Sequence, residues 1–272
     1  MNIHNIELGW MQQMLDAIRG PLLNQFFLLW RFVDTFGFSL ILVVTIWYLF
    51  NRPIGIRILY IAILAAAINK FLKGFFGLPR PCQIDPSIGL SCLASPGFPS
   101  GAAQTSMLIL GVAFLESKNK VLRCSALVFA LLLSFSRVYL GVHFITDILG
   151  GWVVGGGLLV IYAKVFPLVE KNWRRYIFLF PVLLLFIAQA KVTRLFGYSV
   201  GIAIGLLSYE KVKRIWKDGW LIRFWQLASV LIGEFAILWL MKIYPAQITL
   251  FSIGAGIWLS FLGAYLVQRL RA

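Results

Sequence analysis

Three short polar blocks hold most of the residues able to do chemistry together in an otherwise apolar chain. Lys73, Arg80 and Pro81 form a Lys-x6-Arg-Pro run, Phe98-Pro99-Ser100-Gly101 follows, and Ser136-Arg137-x-Tyr139-x-Gly141-x-His143-x3-Asp147 closes the set. His143 and Asp147 are four positions apart, so at the start of an apolar helix they share one face. A carboxylate on one ring nitrogen fixes the imidazole tautomer and raises the basicity of the other nitrogen. Arginine presents a planar fork to phosphate oxygens and lysine a point charge. Ser100 reads as an N-cap, and backbone N–H groups at a helix start bind anions, with Gly101 and the small Ala102 and Ala103 allowing close approach. The set suits a phosphate held by cations and attacked by imidazole.

Each block also has a plainer reading. Cations at span ends snorkel to the interface, a Ser-Gly before a helix can be only a cap, and a lone His-x3-Asp is usually structural. Ionisable groups at a span entrance are costly in apolar surroundings, and that cost favours a functional reading of the third block. His4, the other histidine, carries no assigned role.

The elements that must position these blocks are membrane helices. The 272 residues are 60% hydrophobic and 13% charged, against about 25% charged in soluble domains. The net charge of +15 does not indicate nucleic-acid binding, because the cations sit in small clusters between apolar runs. Glu7 and Asp16 precede any apolar run, which argues against a secretory signal at the start. Residues 1–33, broken near Gly20-Pro21, fit an interfacial amphipathic helix or an early part of the first span. Nine apolar segments follow, near 34–50, 55–72, 102–115, 121–136, 144–163, 176–190, 195–209, 222–241 and 246–268. The pair around 190–194 has the shortest link.

If all nine segments cross, one side collects Arg52, Arg57, Lys118, Lys120, Arg123, Lys164, Lys171, Arg174, Arg175, Lys211, Lys213, Arg214, Lys217, Arg223, Arg269 and Arg271. That is 16 of the 25 cations. The positive-inside bias puts this side in the cytoplasm and the three blocks outside or in a lumen. Cys82 and Cys92 fall in the loop on that outer side, either bridged or as two small unlinked residues, and Cys124 is expected to pack.

In order and spacing, the blocks resemble the type 2 phosphatidic acid phosphatase superfamily, integral-membrane lipid phosphatases related to acid phosphatases and vanadium haloperoxidases. Lys73, Arg80 and Pro81 match the first family motif, and Ser136 through Asp147 the third. The resemblance implies an all-α integral membrane protein with about nine transmembrane helices: a six-helix phosphatase core plus C-terminal extra helices. The corresponding organisation is an interfacial helix at 1–33, a core at 34–190 with active-site loops 73–104 and 136–147, and additional helices at 191–272. It further implies that Lys73, Arg80, Arg137, Ser100 and Gly101 bind phosphate. His143 would form a phosphohistidine with Asp147 orienting it, and Arg137 would cover the phosphate. No metal and no cofactor are implied; the implied partners are a phosphorylated lipid and a membrane, the location is multi-pass in a bacterial inner membrane with the site facing the periplasm, the outside or a lumen, and oligomeric state is left open.

The middle block departs from the family. The usual Pro-Ser-Gly-His places a general-acid histidine where this chain has Ala102. A phosphate leaving a pyrophosphate has a conjugate-acid pKa of about 6 to 7, whereas an alkoxide is nearer the 15.7 of water. General acid help is worth about 10²–10⁴ in rate, so its loss falls hardest on monoesters. The leading expectation is therefore a phosphatase for a lipid pyrophosphate such as polyprenyl diphosphate. Alternatives are phosphatidate, phosphatidylglycerophosphate, sphingoid-base phosphate or lipid A phosphate as substrate, a lipid phosphotransferase, and a non-catalytic phospholipid-binding or transport protein. Gln104 or Thr105 would then be candidates to orient a water.

Overall fold

The computed structural model describes residues 3–170, 177, 179–188, 193–212 and 218–270. The cations at 171, 174, 175, 213, 214, 217 and 271 and the link at 189–192 lie outside them. The described residues are helical, without strands. Two compact units emerge, Met1–Ser39 with Ile68–Lys164, and Leu40–Ala67 with Val165–Ala272.

In the first unit, α1 is Ile3–Ile18 and α2 is Pro21–Val33. The break expected near Gly20-Pro21 is there: Gly20 is extended and Pro21 starts α2, where a missing N–H costs nothing. Met11 and Leu15 are 1% exposed and pack with Phe27, Tyr139, Phe144 and Ile148, while Trp10 on the opposite face is 71% exposed. Thus α1 is amphipathic, and its apolar face is covered by protein.

α3, Phe36–Thr45, continues as a π-helical turn over Ile46–Phe50, and α4 is Arg52–Phe76; residues 40–67 of this stretch belong to the second unit, and the chain returns to the first at Ile68. A single turn, α5 (Pro81–Ile84), precedes the loop to α6, Gly101–Glu116. The helices α7, Lys120–Tyr139, and α8, Ile145–Glu170, complete the unit. Asn119 caps α7, its side-chain oxygen accepting from the N–H groups of Val121 and Leu122. Cys124, expected to pack, instead lies exposed near the start of α7.

The second unit contains α9 (Leu179–Ala188), α10 (Thr193–Val212), α11 (Trp220–Ile243), α12 (Ile248–Ile257) with a π-helical turn Trp258–Leu262, and α13 (Gly263–Leu270). Its core gathers Val44, Trp47, Leu184, Ile202, Val230 and Leu259.

Among the described residues five helical stretches are long and apolar enough to cross a membrane: Arg52–Ile84, Lys120–Tyr139, Ile145–Val169, Trp220–Ile243 and Pro245–Leu270. A sixth arises if Pro21–Val33 and Phe36–Phe50, bent by 63°, count as one span. The other apolar segments form helix too, but α6 has 16 residues and α9 has 10, short of the roughly 20 that a crossing needs.

Candidate functional site

All three sequence blocks fall in the first unit. The loop between α7 and α8 is shaped by Gly141, whose φ of +69° and lack of a side chain let the chain turn against the carbonyl of Ile88. A Cβ there would meet that oxygen. The N–H groups of Val142 and His143 donate back to the carbonyl of Arg137 at 3.1 and 3.3 Å, which holds His143 close under the end of α7. Across the turn, Cys82 N–H donates to the Gly141 carbonyl at 3.1 Å, and Cys82 and Cys92 are bridged.

His143 is 4% exposed and Asp147 is 1%. His143 Nδ1 lies 3.0 Å from Asp147 Oδ2, which also accepts from the N–H of Phe144 at 3.0 Å. His143 Nε2 lies 2.9 Å from Arg80 Nη1. A guanidinium has only donors, so the nitrogen facing it must present a lone pair, and the ring proton must sit on Nδ1 toward the carboxylate. Burial lowers the pKa of His143 to about 4; the hydrogen bond to Asp147 raises it, and the neighbouring Arg80 lowers it. The imidazole is thus neutral at pH 7, with a lone pair aimed into positive charge.

Arg80 is 2% exposed. It donates from Nε to the Ser95 carbonyl, from Nη1 to the Val142 carbonyl and from Nη2 to Ser95 Oγ, at 2.7, 2.8 and 3.0 Å. Lys73, in the last turn of α4, donates to the carbonyls of Pro96 and Gly97 at 2.6 and 2.9 Å and is within electrostatic reach of His143, Arg80 and Asp147.

The start of α6 is brought to the same place through α8. Gly151, four residues after Asp147, has no side chain to hold off the Ser100 carbonyl and Ala103. Ser100 is fully buried; its N–H donates to the Asp147 carbonyl at 3.0 Å, and its hydroxyl caps the helix from 3.4 Å. Helix geometry leaves the N–H groups of Gly101 and Ala102 outside the intrahelical ladder, the usual makings of an anion site. Gln104, a candidate to orient a water, is 1% exposed, and its Oε1 accepts from Asn69 Nδ2 at 2.9 Å; Asn69 also donates to the Pro99 carbonyl.

Arg137 behaves differently from the other two cations. Its guanidinium is 2.9 Å from Asp34 Oδ2 through Nη1 and donates to the Trp30 carbonyl through Nη2, and its Nε donates to Ser136 Oγ. Its backbone, rather than its side chain, touches His143. Asp34 sits at the break between α2 and α3 and interacts electrostatically with Arg137, Arg80 and Lys73 alike. Asp34, Arg31, Thr35 and Arg137 line a cavity of about 430 Å³ together with Val142 and Leu140. Sequence reasoning missed Asp34: a lone acid 103 positions from its partner leaves no pattern to read. Among the described residues no three His, Cys, Asp or Glu side chains cluster as metal ligands would.

The family comparison bears directly on this geometry. Residues 54–171 match the PAP2 superfamily. That segment is what the chain shares with the PAP2 superfamily. The PAP2 segment contains Lys73, Arg80, Ser100, Gly101, Arg137, His143 and Asp147, but neither Asp34 nor α1. Phosphatidylglycerophosphatase B of Bacillus subtilis is 35% identical over 117 residues, 40% of this chain and 55% of the relative. Undecaprenyl-diphosphatase of Sulfolobus acidocaldarius is 28% identical over 120 residues, 42% of this chain and 56% of the relative. The chain thus spans about half the length of the curated relatives it matches. A crystal structure of a transmembrane PAP2-type phosphatidylglycerolphosphate phosphatase from Bacillus subtilis superimposes with a TM-score of 0.52 at 27% identity, covering 61% of this chain and 87% of that one. With these neighbours and its apolar helices, the PAP2-bearing chain is a multi-pass integral membrane protein.

Proposed function

We propose that the protein is a membrane lipid phosphatase that works through a phosphohistidine and prefers a lipid pyrophosphate. The observation that carries this reading is the placement of the imidazole: buried, with Nδ1 3.0 Å from Asp147 and Nε2 2.9 Å from Arg80. His143 Nε2 attacks the terminal phosphorus, an N–P bond forms, and the bond from phosphorus to the bridging oxygen breaks. Its electron pair leaves with the lipid monophosphate. Water then attacks the phosphohistidine, orthophosphate departs, and the N–P electron pair returns to the ring. Asp147 stabilises the imidazolium character that builds during both steps.

Arg80, Lys73 and the α6 N-terminus with Ser100 and Gly101 neutralise the equatorial oxygens, and Arg137 covers them once its fork turns from Asp34 to phosphate. Ala102 supplies no proton, which a phosphate leaving group tolerates far better than an alkoxide. The reading includes nine crossings, with 1–33 as an interfacial segment, 34–190 as the phosphatase core and 191–272 as added helices. The cation bias and the Cys82–Cys92 bridge support a site on the non-cytoplasmic face of a bacterial inner membrane.

Purified protein assayed on matched mono- and diphosphate lipids tests the preference. Turnover on the diphosphate should exceed that on the monophosphate by about 10²-fold or more. Comparable turnover on both would refute the leaving-group account. The higher identity to phosphatidylglycerophosphatase B favours a second reading, a phosphatidylglycerophosphate phosphatase, which the same panel would reveal. Labelled phosphate that cannot be trapped on His143 would point instead to a binding or transport role.

A further inference from the structure

α1 lies outside the PAP2 segment, yet it reaches Phe144 and Thr146, two of the three residues that link His143 to Asp147. Glu7 Oε1 accepts from the N–H of Thr146 at 2.9 Å, and Glu7 Oε2 accepts from Thr146 Oγ1 at 2.7 Å. Thr146 is in the first turn of α8, where N–H groups have no helical partner and a negative charge is favoured by the helix dipole. A carboxylate 139 positions away therefore serves as the cap that α8 does not draw from its own sequence. Directly after the histidine, the His4 ring stacks on Phe144 at 4.7 Å with planes 7° apart, and Phe144 is fully buried. The far end of α1 is fastened too, where Arg19 Nη2 donates to the carbonyls of Ile88 and Tyr139 at 2.7 Å each.

Asp147 can fix the imidazole only as well as the first turn of α8 is itself fixed. Its Oδ2 serves both His143 Nδ1 and the N–H of Phe144, so rotation of that turn would move both bonds together. We propose that Glu7 is a positioning residue for the reaction, acting through Thr146 to hold the first turn of α8, and hence Asp147, in register with His143. This rests on the phosphohistidine reading above. An angular misplacement of 10–20° in a catalytic pair is enough to lose activity, and a 1 Å displacement costs up to about 10²-fold.

The test uses the full chain in detergent or nanodiscs, phosphate release from a lipid diphosphate, and active sites counted by acid-quenched phosphohistidine. Glu7→Ala should lower kcat per active site about tenfold with KM within twofold. Glu7→Gln, whose amide can accept from the Thr146 N–H and donate to its hydroxyl, should stay within about threefold of the parent. Thr146→Val removes only the hydroxyl arm and should lower kcat per active site about threefold with Tm down by only a few degrees, which keeps the idea testable if Glu7→Ala does not fold. A merely structural role for α1 predicts lower Tm with kcat per active site intact, and that result overturns the proposal, as does an unaffected Thr146→Val. If the parent protein releases no phosphate from any lipid, the underlying reading fails; if it is active and the variants are unaffected, only this inference does.

Discussion

The first unit buries Arg80, Arg137, His143 and Asp147, and each of these side chains has two or more hydrogen bonds, most to backbone carbonyls or to one another. The second unit buries Glu234 completely with one partner in view, the hydroxyl of Tyr198 at 2.7 Å, while Glu234 Oε1 and Gln226 Nε2 have none. Its cohesion comes instead from close helix approach. On α10, Gly197, Gly201 and Gly205 meet the backbone of α12 and Ser260 of the turn beyond it. Buried charge is expensive unless paired; the first unit pairs its two guanidinium groups and the imidazole and leaves Asp147 Oδ1 as the atom of this set without a hydrogen bond, so the cost it carries falls on the nucleophile's own carboxylate. Where the interior needs only to hold together between apolar faces, small residues suffice.

The sharpest way to break that contrast is His143→Ala. Loss of the nucleophile should lower phosphate release by at least about 10⁴-fold while lipid binding survives, measured by single-turnover assay and by retention on substrate vesicles. Residual phosphoenzyme in this variant would show that the buried pair is structural. The same ring sets an acid limb. Because its folded pKa is pushed down to about 4 from an ordinary value near 6.5, the unfolded chain binds the extra proton first. The stability contributed by neutral His143 is therefore complete above about pH 6.5 and lost as pH falls toward about 4. Activity should persist at pH 5.5 and decline only near pH 4. A kcat profile with its acid midpoint at 6.5 would contradict a desolvated imidazole.

Much of this site was legible in the sequence because its core is local or motif-spaced. The four-position step from His143 to Asp147, a proline after Arg80 and a serine before Gly101 each specify geometry within a turn or two. The Cys82–Cys92 bridge was half-legible, from compartment logic alone. What could not be read is what reaches the site from far along the chain. Asp34 is one acid in an apolar run, Glu7 and His4 look like ordinary polar positions of an interfacial helix, and their partners are more than 100 residues away. The number of crossings was obscured for the opposite reason: hydropathy is plentiful everywhere, while helix length, which decides a span, depends on breaks such as the 63° bend around Asp34.

Asp34 gives a smaller and oppositely signed effect within the same unit. Its carboxylate stands where an anion would meet Arg137, with Arg80 and Lys73 also in its field. Asp34→Asn removes a competing negative charge and should tighten inhibition by orthovanadate or phosphate, roughly threefold to tenfold, with kcat lowered by slower product release. Inhibition constants measured at two ionic strengths check this, since a charge effect weakens with salt. Weaker inhibition in Asp34→Asn would mean that the aspartate chiefly fixes the arginine in place.

The least effect on chemistry belongs to the second unit, and Gly201→Val isolates it. A Cβ on Gly201 would run into the carbonyl of Ile253 and come within 2.9 Å of Gly256 Cα, and both obstacles are backbone. A side-chain tip can swing aside; a helix axis has to move, and overpacking of this kind costs about 1–3 kcal/mol. Tm should therefore fall, while kcat per counted active site stays within about twofold, because every residue assigned to phosphate lies in the other unit. Were kcat to fall in step with Tm, the small-residue crossing of α10 and α12 would be setting the geometry of the buried histidine as well, and the division of labour between charge and close packing would be wrong.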